Sequence, residues 1–240
     1  MSRRVLFVQQ DHLSPTGPVG EGFADLGYDV EELLVVPEDR FATPDVTVDL
    51  PDPTGYDAIV PMGAPWSVYD QATIGTWVGA ELAFLRTAHD AGVPVLGLCF
   101  GGQALAAALG GRVVAAGTTR IGWQTVRTSR PDLVEPGPWF QWHEDRWELP
   151  PALSSAGVAA TDDCEQAFLV GRSLGLQFHP ELTPAMLAGW LDNGGRELAI
   201  ANGDDPDELV AVTDRESAAA ATRARRLVAR FVDVVAEQAA

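Results

Sequence analysis

Two short motifs, far apart in the chain, carry side chains that together could perform nucleophilic catalysis. The first, GLCFG, places Cys99 between Gly97 and Gly101; the second, HPE, places His179 two residues before Glu181. A thiol becomes a strong nucleophile when an imidazole takes its proton, and a carboxylate beside the imidazole fixes its tautomer. The two motifs therefore predict a Cys–His–Glu catalytic group.

The residues around Cys99 indicate a sharp turn from a strand into a helix. The apolar run VPVLGL precedes Cys99, and the alanine-rich segment FGGQALAAALGG follows it. Gly-x-Cys-x-Gly has the spacing of a nucleophile elbow, in which glycines let the strand and helix backbones approach closely. The helix start favours the thiolate, and the N–H of Phe100 would point at a developing oxyanion. The alternative is a small buried cysteine at a tight turn.

His179 ends a strand-like run, SLGLQFH, and is the predicted base. Pro180 biases His179 towards an extended conformation, in which residues two apart face the same side. The carboxylate of Glu181 can then reach the imidazole ring and stabilise its protonated form. The alternative is a lone structural histidine at a strand end, and the Cys99 motif weakens that interpretation.

The elements that must position these motifs alternate between strand and helix in the first half of the chain. Strand-like segments occupy residues 3–10, 29–36, 56–63 and 93–99, and helix-like segments occupy residues 17–28, 75–92 and 100–111. This alternation predicts an α/β fold with an open, mostly parallel sheet flanked by helices. Ligands of such sheets gather at the carboxyl ends of the strands, where Cys99 lies.

The second half of the chain has a different pattern. Closely spaced strand-like segments between residues 111 and 179, the first two of them at 111–117 and 121–129, predict an added antiparallel region. The residues after Thr183 predict helices. We therefore expect one α/β domain over residues 1–192 and a helical extension over residues 193–240 that packs on the same domain.

Composition excludes several classes of function. The net charge of −18 disfavours a nucleic-acid or anionic-membrane partner. All 16 basic residues are arginine, which excludes Schiff-base chemistry and a phosphate-binding P-loop lysine. Two cysteines and four dispersed histidines predict no disulfide scaffold, metal site or cofactor. Without a signal peptide or an apolar run of roughly 20 residues, we expect a cytoplasmic protein.

At this point the sequence resembles a known family. GLCFGGQ, with QFHPE well downstream, resembles the class I (triad) glutamine amidotransferases, and MGAPWSVYD, IGWQTV, WHEDRWELP and CEQAFLVG are similar to stand-alone proteins related to the glutaminase domain of GMP synthase. The resemblance implies a flavodoxin-like fold. It also implies attack on the side-chain amide of glutamine to give a γ-glutamyl thioester and ammonia, after which water releases glutamate.

The resemblance also assigns roles to residues. Cys99, His179 and Glu181 match the catalytic group of the family. The remaining matched positions are the backbone N–H of Phe100 and the Gly63-Ala64-Pro65 loop as oxyanion donors, Gln103 as a substrate contact, and His143 as either a substrate contact or a structural residue at the pocket rim.

Two positions depart from the family pattern. Ala64 replaces a glycine of the oxyanion loop, which is without cost only if its φ is negative. Glu144 stands where many relatives have glycine and would add bulk and charge near the substrate. The second cysteine, Cys164, has acidic neighbours that disfavour a thiolate, so we expect it to be inert.

Three functions remain open from the sequence. The protein could be an amidotransferase that passes ammonia to a separate synthase subunit, or a free-standing hydrolase of γ-glutamyl amines or peptides. The third is a non-catalytic binding or regulatory module, which the presence of all three catalytic residue types disfavours.

Overall fold

One sheet with helices on both faces forms the framework of the fold. The computed structural model describes residues 2–162 and 164–236; Met1, Asp163 and the end of the expected extension, residues 237–240, lie outside the described residues. Within them the strands are β1 (Arg3–Asp11), β2 (Tyr28–Val36), β3 (Ala58–Pro61), β4 (Val95–Leu98), β5 (Arg112–Thr128), β6 (Gly137–Glu148), β7 (Gly157–Ala160), β8 (Glu165–Val170) and β9 (Ser173–Leu176).

The strand order is β2-β1-β3-β4-β9-β8-β7-β5-β6. The first five of these strands pair in parallel, and the pairs from β9 to β6 are antiparallel. The mostly parallel sheet with an added antiparallel region is therefore confirmed. Segments 111–117 and 121–129, taken from the sequence as separate strands, form the single strand β5, with an irregular register between Ala115 and Arg120.

Helices cover both faces of the sheet. They are α1 (Gly17–Asp25), α2 (Gln71–Ile74), α3 (Val78–Asp90), α4 (Phe100–Ala108), α5 (Pro184–Trp190), α6 (Arg196–Asn202) and α7 (Pro206–Phe231). A π-helical stretch, Leu191–Gly195, joins α5 to α6 and contains a kink where Gly194 has φ +98°. A second, Val232–Ala236, continues α7. Short 3-10 turns lie at Glu38–Arg40, Pro53–Gly55 and Pro151–Leu153.

The core lies in two layers because successive strand residues face opposite sides of the sheet. Val5 and Phe7 of β1 belong to the layer that contains Phe23 of α1. Leu6 and Val8 belong to the opposite layer, which α3 and α4 cover. Both layers consist of buried hydrophobic residues, and together they hold the carboxyl ends of the central strands at one edge.

The C-terminal helix α7 packs on α1 and closes the first of these layers. Its residues Leu227, Val228 and Phe231 are buried, and a Cβ placed on Gly22 of α1 would lie 3.1 Å from Val228 Cβ. The division of the chain at residues 192 and 193 stays a prediction. No helix in the described part of the chain is long and apolar enough to span a bilayer.

Candidate active site

Cys99 lies between β4 and α4 in a strained backbone conformation. Its φ is +48° and its ψ is −106°, and it is the single non-glycine residue with positive φ in the described part of the chain. Such a conformation costs on the order of 1–3 kcal/mol and persists only where the surroundings impose it. The turn is therefore the predicted elbow, and it holds the thiol at the edge of the sheet.

Glycines around Cys99 allow three backbones to meet. A Cβ on Gly97 would lie 2.6 Å from the Gly101 carbonyl oxygen, and one on Gly101 would lie 2.0 Å from the Pro61 carbonyl oxygen. A Cβ on Gly102 would lie 2.5 Å from the Leu176 carbonyl oxygen. All three distances are shorter than those at which a real Cβ atom lies from another atom, so the three backbones can approach this closely only with glycine at these positions.

His179 and Glu181 form a buried hydrogen-bonded pair just beyond β9. The distance from His179 Nδ1 to Glu181 Oε1 is 2.8 Å. Glu181 is fully buried, and its Oε2 has no hydrogen-bond partner among the described residues. The Trp190 ring lies edge-on to the imidazole, with centroids 5.0 Å apart. The predicted contact of carboxylate and imidazole is present, but the extended conformation expected for it is not: Pro180 and Glu181 form a turn in which the Leu182 N–H donates to the His179 carbonyl oxygen at 3.4 Å.

Cys99 and His179 meet at one carbonyl oxygen, that of Trp142 on β6. The thiol of Cys99 donates to this oxygen over 3.7 Å, and His179 Nε2 lies 3.3 Å from it. Burial lowers the pKa of His179, but charge and hydrogen bonding from Cys99 and Glu181 outweigh burial and raise it well above its usual value. A protonated imidazole is therefore favoured between Cys99 and Glu181.

The predicted oxyanion loop lies against the imidazole. A Cβ on Gly63 would lie 3.1 Å from His179 Cε1, and the N–H of Gly101 donates to the Met62 carbonyl oxygen at 2.9 Å. Ala64 does not have positive φ, so its side chain adds no backbone strain. Because Phe100 begins α4, its N–H has no partner within the helix. The two predicted donors thus belong to segments tied together by a hydrogen bond.

Two buried polar side chains, Gln10 and Glu81, form a hydrogen-bonded connection to the start of this loop. The N–H of Met62 is shared between the Val8 carbonyl oxygen at 3.0 Å and Gln10 Oε1 at 3.1 Å, and Gln10 Nε2 donates to Glu81 Oε1 at 2.7 Å. Gln10 and Glu81 are 0% and 1% exposed, and burial raises the pKa of Glu81 to about 8. The helix α3 is thereby connected to the oxyanion loop through two side chains.

The predicted substrate contacts Gln103 and His143 lie in a packed polar layer. Gln103 Nε2 donates to the Asp145 carbonyl oxygen at 3.2 Å, and His143 Nδ1 lies 3.0 Å from the same oxygen. Both side chains are buried, and neither lines the cavity described below. The Asp145 carboxylate accepts from the hydroxyls of Ser67 and Tyr69. The role of Gln103 and His143 as substrate contacts stays a prediction.

Glu144 is directed to the outside of β6, whereas its place in the WHED motif predicts a position near the substrate. Its side chain is exposed, and the hydroxyl of Thr119 donates to its Oε1 at 3.5 Å. Because strand residues alternate between faces, β6 turns Glu144 outward while its neighbours face inward. Its charge therefore lies outside the cavity next to His179.

A cavity of about 290 Å³ opens beside His179 at the edge of the sheet. One wall is the oxyanion loop, and the opposite wall comes from the kinked segment after α5. The lining residues are Asp11, Leu13, Ser14, Phe41, Gly63, Ala64, Pro65, Trp142, His179, Trp190, Asn193, Gly194, Gly195 and Leu198. We name this space the His179 cavity.

Sequence reasoning missed several residues of this site, among them Trp142, Asp11 and Trp190. Trp142 contributes a backbone oxygen, which has no signature in a sequence. Asp11 and Trp190 line the cavity; the position of Asp11 at the end of the first strand is the signal that could have identified it. Across residues 2–162 and 164–236, no group of three His, Cys, Asp or Glu side chains could hold a metal ion.

Known proteins are similar to this chain in sequence over part of its length. A sequence model of the family described as Glutamine amidotransferase class-I matches residues 29–194. GMP synthase [glutamine-hydrolyzing] of Alcanivorax borkumensis is 35% identical over 122 residues, which are 44% of this chain and 23% of that protein. The enzyme of the same name from Dehalococcoides mccartyi is 35% identical over 128 residues, 50% of this chain and 22% of that protein. The chain thus corresponds to about a quarter of these relatives.

Solved structures share the fold over almost the whole chain. A glutamine amidotransferase from Thermotoga maritima superposes with a TM-score of 0.80 at 23% identity, covering 97% of this chain and 99% of the other. A glutamine amido transferase from Methylobacillus flagellatus superposes with a TM-score of 0.82 at 23% identity, covering 100% of this chain and 98% of the other. These superpositions extend past residue 194 into the helical C-terminal part.

Proposed function

Because the chain belongs to the class-I glutamine amidotransferase family, we propose that it cleaves the side-chain amide of glutamine with Cys99 as the nucleophile. The observation that carries the proposal is the convergence of Cys99 Sγ and His179 Nε2 on the Trp142 carbonyl oxygen, with Glu181 on the other side of the imidazole. The strained elbow and the raised pKa of His179 support the same assignment.

In the first half-reaction the sulfur of Cys99 attacks the carbonyl carbon of the amide. The electron pair of the C=O bond moves onto oxygen, and the N–H groups of Phe100 and of the Gly63-Ala64 loop stabilise the resulting oxyanion. His179 gives its Nε2 proton to the amide nitrogen, the C–N bond breaks, and ammonia leaves. A γ-glutamyl thioester remains on Cys99.

In the second half-reaction water replaces the amine. Neutral His179 takes a proton from water, the oxygen of that water attacks the thioester carbon, and the C–S bond breaks. Glutamate leaves, and the sulfur and imidazole return to their starting charges. Glu181 keeps the imidazole in one tautomer during both steps and stabilises its positive charge.

The ammonia goes, in this proposal, to an acceptor outside these 240 residues. Support comes from the relatives: they carry the name GMP synthase, and about three quarters of their length has no match here. The acceptor site would then belong to a separate synthase module. Its substrate is not identified by the residues of this chain.

A second candidate is a free-standing hydrolase of γ-glutamyl amines. The His179 cavity favours it, because a space of about 290 Å³ next to the base exceeds the roughly 30 Å³ that a molecule of the size of water or ammonia occupies. Substituents on the amide nitrogen could therefore be accommodated. The chemistry at Cys99 is the same for both candidates.

The test is release of ammonia or amine by the purified chain given glutamine or a γ-glutamyl amide. We expect turnover that Cys99→Ala abolishes without loss of folding, because removal of the nucleophile of a triad lowers kcat by several orders of magnitude. Cys164→Ala is the matched control and should retain full turnover. Equal turnover in Cys99→Ala and the parent would refute the proposal.

A second measurement separates the two candidates. Turnover of glutamine that rises strongly when a synthase-containing cell fraction is added favours the amidotransferase. Turnover of γ-glutamyl amines at a higher kcat/KM than glutamine, unchanged by that fraction, favours the free-standing hydrolase.

A further inference from the structure

We propose that the His179 cavity binds a cationic amine carried on the amide nitrogen of the substrate, with Asp11 as its counter-ion. The inference rests on the proposed function and narrows its substrate class to γ-glutamyl derivatives of diamines or polyamines. Asp11 contributes specificity, and Cys99 and His179 contribute the chemistry.

Asp11 supplies the only carboxylate among the described residues that line the cavity. It is 2% exposed and ends β1, at the same sheet edge as Cys99. Its Oδ1 accepts from the Leu13 N–H at 2.7 Å, and its Oδ2 has a long contact, 3.5 Å, with the Ser14 hydroxyl. A carboxylate has about four acceptor positions, so these bonds leave capacity for a ligand.

The charge of Asp11 is offset by the protein only in part, through His12, its neighbour in the chain. Among the described cavity-lining residues none is arginine, and His179 is already engaged by Glu181 and Cys99. Burial raises the pKa of Asp11 to about 6, while hydrogen bonds and the charge of His12 lower it. The group is therefore mostly ionised at neutral pH, and an ammonium ion would offset its desolvation cost.

The walls of the cavity suit the same ligand. Phe41, Trp142 and Trp190 present aromatic rings, and the Trp142 and Trp190 centroids lie 5.9 Å apart in an edge-to-face arrangement. Aromatic faces attract ammonium groups, most strongly in desolvated sites. Leu13 and Leu198 add apolar contacts for a methylene chain. A buried carboxylate at one point of an apolar, aromatic cavity matches an alkylammonium.

The other cation in a γ-glutamyl substrate, its α-ammonium, fits less well. An α-ammonium is attached to the same carbon as a carboxylate, which would need a positive partner. No arginine lines the described part of the cavity, and Asp11 would repel that carboxylate. The amine side of the substrate therefore fits the cavity better.

The experiment compares two γ-glutamyl amides of equal length, the aminopentyl and the hexyl derivative, which differ in one terminal charge. We expect the parent protein to prefer the aminopentyl amide in kcat/KM, and Asp11→Asn to lower the ratio of the two values by about tenfold or more. Asp39→Asn, at an exposed carboxyl, is the control and should leave the ratio unchanged.

Three outcomes would overturn the inference. The first is a preference of the parent protein for the hexyl amide. The second is an equal decrease in kcat/KM for both amides in Asp11→Asn. The third is a decrease in kcat/KM for glutamine in Asp11→Asn that is as large as the decrease for the aminopentyl amide. The second result would indicate a merely structural role of Asp11. The third would mean that Asp11 binds the α-ammonium instead.

A binding measurement keeps this test separate from the proposed function. Hexylammonium and hexanol are titrated into Cys99→Ala while tryptophan fluorescence is followed; we expect tighter binding of hexylammonium, lost in Cys99→Ala/Asp11→Asn. That result without hydrolysis by the parent protein would refute the proposed function alone. Hydrolysis without any dependence on Asp11 would refute the cavity assignment alone.

Discussion

At the scale of single residues, the site depends on two unfavourable states that the fold maintains. Cys99 keeps a positive φ, and Glu181 is fully buried with one carboxylate oxygen unpartnered among the described residues. Neither state stabilises the folded protein by itself. Both are accounted for if the sulfur must be exposed to substrate and the imidazole must be held in its charged form.

The role of Glu181 can be tested with Glu181→Gln. The amide oxygen can still accept from His179 Nδ1, but the charge that stabilises the imidazolium is lost. We expect kcat to fall by about a hundredfold or more, with KM changed by less than about threefold and no loss of thermal stability.

Steady-state kinetics beside thermal melting checks this expectation. Glu197→Gln, exposed on α6, is the matched control. A kcat within about twofold of the parent value would remove Glu181 from the mechanism.

Prediction at the residue scale succeeded for features that depend only on side-chain type and on spacing along the chain. The contact between His179 and Glu181 was predicted, but the extended chain from which it was predicted was wrong, because Pro180 and Glu181 form a turn. The glycines around Cys99 were sufficient to predict the elbow. The Trp142 carbonyl was not predictable, because every residue has a backbone oxygen and only the tertiary fold selects one.

At the scale of elements, the oxyanion loop after β3 is fixed from three sides. The N–H of Gly101 on α4 holds the Met62 carbonyl, Gln10 holds the Met62 N–H, and the imidazole of His179 lies against Gly63. The loop therefore has little room to move relative to the sulfur. A small displacement should affect catalysis more than folding.

Gly63→Ala tests this tight fit. The new Cβ would lie 3.1 Å from His179 Cε1, so the loop or the imidazole must shift by a few tenths of an ångström. We expect kcat/KM to fall by about tenfold or more. Gly79→Ala on α3, where a Cβ has open space, should keep full turnover and gain up to about 1 kcal/mol in stability. Equal turnover in both variants would contradict the proposed position of the loop.

Glu81 on α3 gives a prediction about pH and stability. Burial raises the pKa of Glu81 from 4.5 to about 8. Between these values the folded protein holds a proton that the unfolded chain has lost, so the free energy of unfolding decreases as pH rises and levels off above about 8. The side chain in Glu81→Gln does not bind this proton, so the free energy of unfolding of the variant should not decrease in this way.

Thermal melting of the parent and Glu81→Gln across this pH range is the measurement. We expect the Tm of the variant to exceed that of the parent by an increasing margin, reaching several degrees near pH 8. Other ionisable groups are common to both proteins and cancel in the difference. If the Tm of the two proteins changed with pH in parallel, the folded and unfolded states of the parent would hold this proton equally, which would contradict the raised pKa of Glu81.

Element-scale prediction succeeded for the alternating half of the chain and was less complete beyond it. Hydrophobic runs bounded by glycine and proline identified β1, β3, β4 and the helices between them. The insertion of β9 between β4 and β8 required pairing between residues far apart, and β5 was read as two strands because its register changes near Gly117.

At the scale of the whole molecule, the His179 cavity joins distant parts of the chain. Asp11 comes from the first strand, Phe41 from the loop after β2, and Leu198 from α6. The expected boundary between residues 192 and 193 passes through the cavity wall, because Trp190 and Asn193 both line it. Local patterns in the sequence indicated helices after Thr183 but gave no sign that they would reach the site.

The most direct test of the central claim is capture of the covalent intermediate. The chain is mixed with glutamine or a γ-glutamyl amide, quenched in acid during turnover, and digested for mass spectrometry. We predict a γ-glutamyl group on the peptide that contains Cys99, its absence from the peptide that contains Cys164, and its loss in Cys99→Ala. Turnover with the γ-glutamyl group on another residue, or with the same rate in Cys99→Ala, would contradict the account.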